Sequence, residues 1–149
     1  RINPKKVAAA DLTNRISLVP GLIDDVPGND FDAATSILVM HFLADDGAKL
    51  NFIRAVGERL KPGAPFVLVD LEGEKGSDEY NLFSAAWKNQ QLFMRDENAK
   101  VDEEFVMREK EVHFIPRERI EALLKEAGFV SVHKFFKAYL FGGYVAIKR

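Results

Sequence analysis

Three kinds of side chain in this sequence have the chemistry to act on a substrate, and the first is an imidazole. His41 directly follows an apolar run, residues 31–40, that carries no charge after Asp32. An imidazole in such a place can orient a nucleophile or take its proton near neutral pH. It can equally be a structural side chain that is hydrogen-bonded inside the core, and the sequence leaves both interpretations open.

Carboxylates and guanidinium groups are the other two. Asp70 and Glu72 follow a second apolar run, where acids either cap a loop or touch a substrate. Arg95 and Arg108 lie among aromatic residues, and a guanidinium can bind a carboxylate through two parallel hydrogen bonds. The simpler interpretation is that each arginine pairs with an acid at the surface.

Composition excludes several classes of function. The chain of 149 residues is 47% hydrophobic, which suits one core of ordinary size. Its formal net charge is −2 with dispersed Lys and Arg, so we expect no extended nucleic-acid surface. Cysteine is absent, and Glu109 and His113 form no larger ligand cluster, so we predict no metal site. No apolar run is long enough to cross a membrane, and we expect a cytoplasmic protein.

The elements that must position these groups alternate between strand and helix. Residues 15–19 (RISLV) and 65–69 (PFVLV) predict strands, and 31–40 predicts a strand buried on both faces. Helices are predicted after Asp45 or Asp46, over about 80–95, over 101–113, and from Pro116 to Gly128. The first and the last each carry an apolar stripe, and a Lys-Pro-Gly corner is expected to stop the first; the stripes are Leu50, Ile53, Val56 and Leu60, and Ile120, Leu123, Leu124 and Ala127. Residues 130–138 and 141–147 predict an antiparallel hairpin. Ligands of such sheets bind at the carboxyl ends of parallel strands.

The ordered segments FDAATSILVMHFL, LKPGAPFVLVDL, EALLKEAGF and FGGYVAIKR resemble the class I S-adenosylmethionine (SAM)-dependent methyltransferases. The resemblance runs from about residue 15 to the C-terminus. It implies an α/β fold: a Rossmann-like sheet, mostly parallel, with a C-terminal antiparallel hairpin. It also implies SAM or a SAM derivative as cofactor, and a small molecule or modified nucleoside as methyl acceptor. Some features resemble the branch that makes carboxy-SAM or modifies the wobble uridine of tRNA.

The same resemblance implies the residues of the cofactor site. Residues expected against the adenine are Gly21, Leu22, Ile23 and Asp24, and those beside the methionine part are Ile37 and Leu38. Leu22 stands where the family often has an acid, and a leucine side chain offers no acceptor for the adenine amino group. Plain core packing is the alternative for Leu22 and Ile23, and we expect Ile37 and Leu38 to be core residues that also line the pocket.

An insert over residues 78–114 is expected to form a lid or substrate wall, with Trp87, Arg95 and Arg108 as its substrate residues. In the carboxy-SAM branch an arginine of this region pairs with the extra carboxylate of the cofactor. The aromatic content of the insert suggests a partly apolar or planar substrate, or a homodimer interface, because large apolar side chains serve both.

The Gly-rich turn of the family lies before the region that matches, and this sequence contains no GxGxG. We therefore expect residues 1–149 to be the C-terminal two-thirds of a single methyltransferase domain. The alternative is a catalytically inactive SAM-binding-type domain with a regulatory or structural role. A dehydrogenase-like nucleotide-binding domain fits less well, because the C-terminal hairpin and the ordered motifs point elsewhere.

Overall fold

Nine regular elements follow one another in the computed structural model, which describes residues 4–95 and 98–149. In chain order they are α1 (Pro4–Ala9), β1 (Ala34–Ile37), α2 (Ala48–Glu58), β2 (Pro65–Leu71), α3 (Asp78–Met94), α4 (Asn98–Glu111), α5 (Arg117–Glu126), β3 (Phe129–Ala138) and β4 (Phe141–Lys148). The four predicted helices and the C-terminal hairpin are confirmed, with ends that differ by a few residues.

The four strands form one sheet in the order β1-β2-β4-β3. β1 runs parallel to β2, whereas β4 runs antiparallel to both β2 and β3. The prediction of a mostly parallel sheet is therefore wrong for the described part of the chain, where one pairing of three is parallel. The α/β class and the antiparallel ending are correct.

The predicted strand over residues 15–19 is also wrong. That segment contains a turn, in which the N–H of Ile16 donates to the carbonyl of Leu12 at 2.9 Å, and then continues as irregular chain. A strand needs the backbone of a neighbour to satisfy its N–H and C=O groups. No strand among residues 4–95 and 98–149 lies at the outer side of β1 to offer them.

β1 lies at an edge of the sheet, which overturns the prediction that residues 31–40 are covered on both faces. The regular strand is only Ala34–Ile37, and a single parallel bridge joins Phe31 to Leu60 before it. The side chain of Ser36 is buried, whereas Ile37 and Leu38 are exposed by 60% and 40%. The sequence predicts both in the core. In the structure their apolar side chains are instead exposed at the edge of the sheet.

The main core lies between one face of the sheet and the helices α2 and α5. Phe66 and Leu68 of β2 are paired with Ala146 and Tyr144 of β4, so all four side chains point to the same face. Against them pack the buried apolar residues Ile53 and Val56 of α2 and Ile120, Leu123 and Leu124 of α5. The helical stripes that the sequence predicts on α2 and α5 are the surfaces that close this core.

A smaller apolar cluster joins α3 to the carboxyl end of β2 and to the start of β4. Its buried members are Leu71, Tyr80, Val112 and Leu140. The ring of Trp87 lies with its centroid 4.7 Å from that of Phe141, and 5.2 Å from that of Phe105 on α4. The helix pair α3 and α4 is thereby placed beside the end of the sheet at which β1 and β2 finish.

Two local signals in the sequence are realised as expected. The Asp46 side chain accepts from the N–H of Ala48 at 3.1 Å, at the start of α2. α2 ends at Glu58, and the Lys61-Pro62-Gly63 corner follows it and turns the chain toward β2, with Gly63 at φ +83°, a region that favours glycine. The N–H of Gly63 donates to the carbonyl of Lys148 at 2.9 Å, so the corner is tied directly to the last strand.

Candidate active site

His41 is presented by a sharp turn at the carboxyl end of β1. Leu38, just after the strand, has φ +57°, a backbone region that branched side chains rarely adopt. Its N–H still donates to the carbonyl of Val69 at 2.8 Å, so the chain leaves the sheet only after Leu38. A short 3-10 turn, Met40–Phe42, follows and carries His41, which is 5% exposed.

Asp70, at the carboxyl end of β2, holds this turn in place. Its carboxylate is fully buried and accepts from the N–H of Met40 at 2.7 Å and from the N–H of Leu71 at 2.8 Å. It is also hydrogen-bonded to Nδ1 of His41. A carboxylate in contact with Nδ1 favours the tautomer that has its hydrogen there, which leaves Nε2 as the proton-accepting nitrogen. The structure thus pairs two residues that the sequence singled out separately.

Lys49 completes the support, although no sequence pattern singled it out. Its side chain is fully buried, and Nζ donates to the carbonyl of Met40 at 2.9 Å. Burial lowers the pKa of Lys49, while the charges of Asp70 and Asp45 partly oppose that shift. The Met40 residue is therefore bonded from both sides, its N–H to Asp70 and its carbonyl to Lys49. One signal for Lys49 was present: it lies four residues before Ile53, on the apolar stripe of α2.

A cavity of about 650 Å³ opens beside His41, between the end of the sheet and the helices α3 and α4. It brings together four of the residues expected at the site: Leu38, His41, Trp87 and Arg108. Leu71 and Phe141 add to its apolar wall. A largely apolar wall with a few polar groups is what ligand sites in proteins usually present.

Arg108 is held between aromatic rings in this wall. Its guanidinium carbon lies 4.0 Å from the centroid of the Phe105 ring and 4.5 Å from that of Trp87. Its Nη2 donates to Oγ of Ser84 at 2.8 Å and lies 3.3 Å from Oε1 of Glu109. The expected alternative, a solvated arginine on a helix surface, is not what the structure shows for Arg108.

Arg95, in contrast to Arg108, is bound through two hydrogen bonds to a single acid. Its Nη1 and Nη2 bind Oε2 and Oε1 of Glu104 at 2.7 and 3.0 Å, and Glu104 lines the cavity beside His41. Arg95 does not line the cavity beside His41. The structure therefore pairs Arg95 with an acid, and its contact with a substrate stays a prediction.

The residues expected against adenine lie outside the cavity beside His41. Leu22 is 77% exposed, and the half-buried Ile23 packs on the main core. Asp24 lies 3.4 Å from Nη2 of Arg59. Gly21, with φ +147°, begins this turn, and Ile37, on β1, does not line the cavity either. Their role toward a cofactor stays a prediction.

A second cavity, of about 720 Å³, has a strongly charged lining and lies near the start of α3 and the β3-β4 hairpin. In it Glu72 is buried and hydrogen-bonded to Lys134 and to the hydroxyl of Tyr144. The two oxygens of the Glu72 carboxylate thus bind the other two polar groups, one each. His41 is not part of this cavity, so we place the candidate active site at the apolar cavity.

Two further observations concern metals and membranes. Across residues 4–95 and 98–149, no group of three or more His, Cys, Asp or Glu side chains is arranged to hold a metal ion. Within the same residues, no helix combines the length and apolar character that crossing a membrane requires. Glu109, which was considered with His113 as a ligand pair, accepts a hydrogen bond from the hydroxyl of Tyr80.

Comparison with known proteins identifies the fold. No protein-family model matches the chain, and no curated protein matches it in sequence. Three solved structures each match over 97% of this chain. The SAM-dependent methyltransferase SibL in its apo form has a TM-score of 0.66, 16% identity, and 39% of its own length covered. A possible exported protein from Bordetella parapertussis has a TM-score of 0.70 and 20% identity, and 48% of its own length is covered. An O-methyltransferase family protein from Burkholderia thailandensis has a TM-score of 0.66 and 15% identity, and 39% of its own length is covered.

This chain spans less than half the length of each of these three proteins. At identities of 20% or below, such likeness establishes the fold alone. The α/β fold with its C-terminal hairpin is therefore a methyltransferase-like fold.

Proposed function

We propose that this chain is part of a SAM-dependent methyltransferase that acts on a hydroxyl group of a small molecule or modified nucleoside. The observation that carries the proposal is the pairing of His41 with the buried Asp70 beside the apolar cavity. The fold is consistent with it, since SibL and the Burkholderia thailandensis protein are named as methyltransferases.

The cofactor would lie along the carboxyl edge of β1. Ile37 and Leu38 expose apolar surface there, which fits the methionine chain of SAM, and Leu22 exposes apolar surface on the turn that begins at Gly21. Leu22 and Ile23 would hold the adenine, with Gly21 and Asp24 beside them, and Ile37 and Leu38 would lie next to the methionine part. SAM, or a SAM derivative such as carboxy-SAM, supplies an already activated group, so the protein needs chiefly to align the acceptor.

His41 has the clearest task in the mechanism. With Nδ1 committed to Asp70, Nε2 accepts the proton of the acceptor hydroxyl as the oxygen becomes a nucleophile. The positive charge that forms on the ring is stabilised by the Asp70 carboxylate. Met40, bonded to Asp70 and to Lys49, keeps the imidazole from turning away. Trp87 and the other apolar residues of the cavity exclude water from the reacting atoms.

The test is transfer of labelled methyl from SAM to a panel of small phenols and hydroxylated nucleosides, with binding of S-adenosylhomocysteine measured separately. His41→Gln is expected to lower the rate by about 10²–10⁴-fold, the usual contribution of a positioned base, and to leave the affinity for S-adenosylhomocysteine unchanged. His133→Gln is the matched control, because His133 is exposed on β3 and lines neither cavity described above.

Two other outcomes are informative. Binding of S-adenosylhomocysteine without methyl transfer to any acceptor would favour the inactive SAM-binding alternative. An equal loss of rate in the His133 and His41 variants would remove the role assigned to His41.

A further inference from the structure

The guanidinium of Arg108 is buried, but it has fewer hydrogen-bond acceptors than a buried charged group requires. The side chain is 9% exposed, and it lines the cavity beside His41. Among the described residues, Nη2 donates to Oγ of Ser84 and lies a long 3.3 Å from Oε1 of Glu109, and the Tyr80 hydroxyl lies near the same guanidinium. Nε and Nη1 are buried and have no hydrogen-bond acceptor among residues 4–95 and 98–149. A buried charged group with unmet donors is costly in a folded protein.

The aromatic neighbours compensate for part of this cost. Trp87 and Phe105 lie within cation-π distance of the guanidinium carbon. Ring faces attract the positive charge but do not replace an oxygen acceptor for the N–H groups. The stack also fixes the plane of the guanidinium, so less freedom is lost when it binds a planar anion.

The acids around the cavity are placed so that they do not neutralise Arg108 fully. Glu109 is also bound by the hydroxyl of Tyr80 and lies 3.6 Å from Nζ of Lys75. Glu104 is bound through both oxygens by Arg95. Glu103 and Glu111 line the cavity but are exposed, so water and salt screen their charges. The buried part of the cavity therefore keeps an incompletely paired positive group.

Resting on the proposed function, we propose that the substrate of this cavity carries a carboxylate on a planar, apolar body, and that Arg108 is the residue that selects it. A rotation of the Arg108 side chain within its stack presents the edge formed by Nη1 and Nη2 to the cavity. Nη1 then binds one carboxylate oxygen, and Nη2 exchanges its long contact with Glu109 for the other. Trp87, Leu71 and Phe141 contact the planar body. The acceptor hydroxyl of the same molecule then faces His41.

Binding can be measured directly, because Trp87 is the single tryptophan of the chain and lines the cavity. The probes are meta-hydroxybenzoate, meta-hydroxybenzamide and meta-hydroxybenzylamine, which share one ring and differ in charge. Each is titrated against the intrinsic fluorescence of the protein without SAM. We expect the carboxylate to bind at least about tenfold more tightly than the amide, as befits a charge-assisted pair of hydrogen bonds, and the amine to bind most weakly.

Three variants assign this preference to Arg108. Arg108→Gln is expected to abolish the preference for carboxylate over amide, and Arg108→Lys to retain part of it. Lys88→Gln is the matched control: it also removes one positive charge between α3 and α4, where Lys88 pairs with Asp102 at 2.6 Å, but it does not touch the cavity. It should keep the full preference. Near-UV circular dichroism of each variant checks that the aromatic cluster is still packed.

Several results would overturn the proposal. They are equal binding of the three probes, no binding of any probe, tighter binding of the amine, or an unchanged preference in Arg108→Gln. If Arg108→Gln weakened binding of carboxy-SAM but not of meta-hydroxybenzoate, the carboxylate would belong to the cofactor instead of the substrate.

The readout is independent of the proposed reaction. Failure of methyl transfer with an intact carboxylate preference would remove the methyltransferase function and leave a binding site for aromatic carboxylates. Methyl transfer to a neutral phenol, with no carboxylate preference, would retain the function and remove the role of Arg108.

Discussion

The two faces of the sheet come from the same strands but are covered very differently. On the first face, Phe66 and Leu68 are buried under α2 and α5. On the second face, Val67 and Val69 of the same strand are half-buried, and Ile37 of β1 is exposed. Alternate residues of a strand point to opposite faces, so a shift of one residue separates the two environments. The first face supplies the stability of the described chain, and the second offers surface for contacts.

The largest effect should come from a truncation on the first face. Leu68→Ala removes a fully buried side chain at the centre of the main core, and is expected to lower the free energy of unfolding by about 3 kcal/mol. Val69→Ala, one residue further along the same strand, should cost about 1 kcal/mol because Val69 is only half-buried. Urea denaturation of both variants measures the difference. Equal losses would mean that the second face is as closely packed as the first.

A smaller effect distinguishes two neighbouring glycines of β4. A Cβ at Gly142 would lie 2.6 Å from Cδ of Glu72, on the first face. Glu72 cannot move freely, because it is buried and hydrogen-bonded to Lys134 and Tyr144. Burial, together with Glu72, raises the pKa of Tyr144 far above its ordinary value, so its hydroxyl remains a donor. Gly142→Ala is therefore expected to cost about 2 kcal/mol, a typical penalty for overpacking.

Gly143→Ala is the matched control on the second face. Its Cβ would meet Phe135 and Phe136 at 3.0 Å, and both side chains are exposed. They belong to β3, an edge strand whose register is already irregular between Lys134 and Phe136, so it can shift by a few tenths of an ångström. We expect a cost of about 1 kcal/mol, from thermal or urea unfolding. A larger loss at Gly143 than at Gly142 would contradict this ranking.

The parts of the fold that the sequence predicts are those set by local patterns. The stripes of α2 and α5, the Pro-Gly corner after α2 and the hairpin around Tyr139 all depend on residues close in sequence. The strand predicted over residues 15–19 failed because strand formation depends on a neighbour that no local pattern reveals. The same reason explains β1, whose apolar residues were read as buried but lie at an edge.

Sequence patterns brought out only part of the candidate site, and they gave no arrangement. His41, Trp87, Arg108 and Leu38 line one cavity although their separation in sequence is large, whereas Ile37, Arg95 and the residues expected against the adenine lie outside it. That Asp70 contacts His41 follows from the parallel register of β1 and β2, in which Ile37 is paired with Val69. Neither the strand register nor the burial of Lys49 can be obtained from a local sequence pattern, because both depend on contacts between distant segments. Arg95 and Arg108 looked equivalent in sequence, and only their packing separates them.

The smallest expected effect is at the exposed edge of the second face. Ile37→Thr keeps a β-branched residue in β1 at a position that is 60% exposed, so the free energy of unfolding should change by no more than about 0.5 kcal/mol. The same exchange at the fully buried Ile53 of α2 should lower the free energy of unfolding by about 3 kcal/mol.

Light scattering of the wild-type protein and of the Ile37 variant completes the experiment. A loss above about 1 kcal/mol at Ile37, with a dimer mass that falls to the monomer in the variant, would mean that a second copy covers this face in solution. Unchanged stability and mass would leave the edge of β1 free, next to the cavity in which Leu38 and His41 lie.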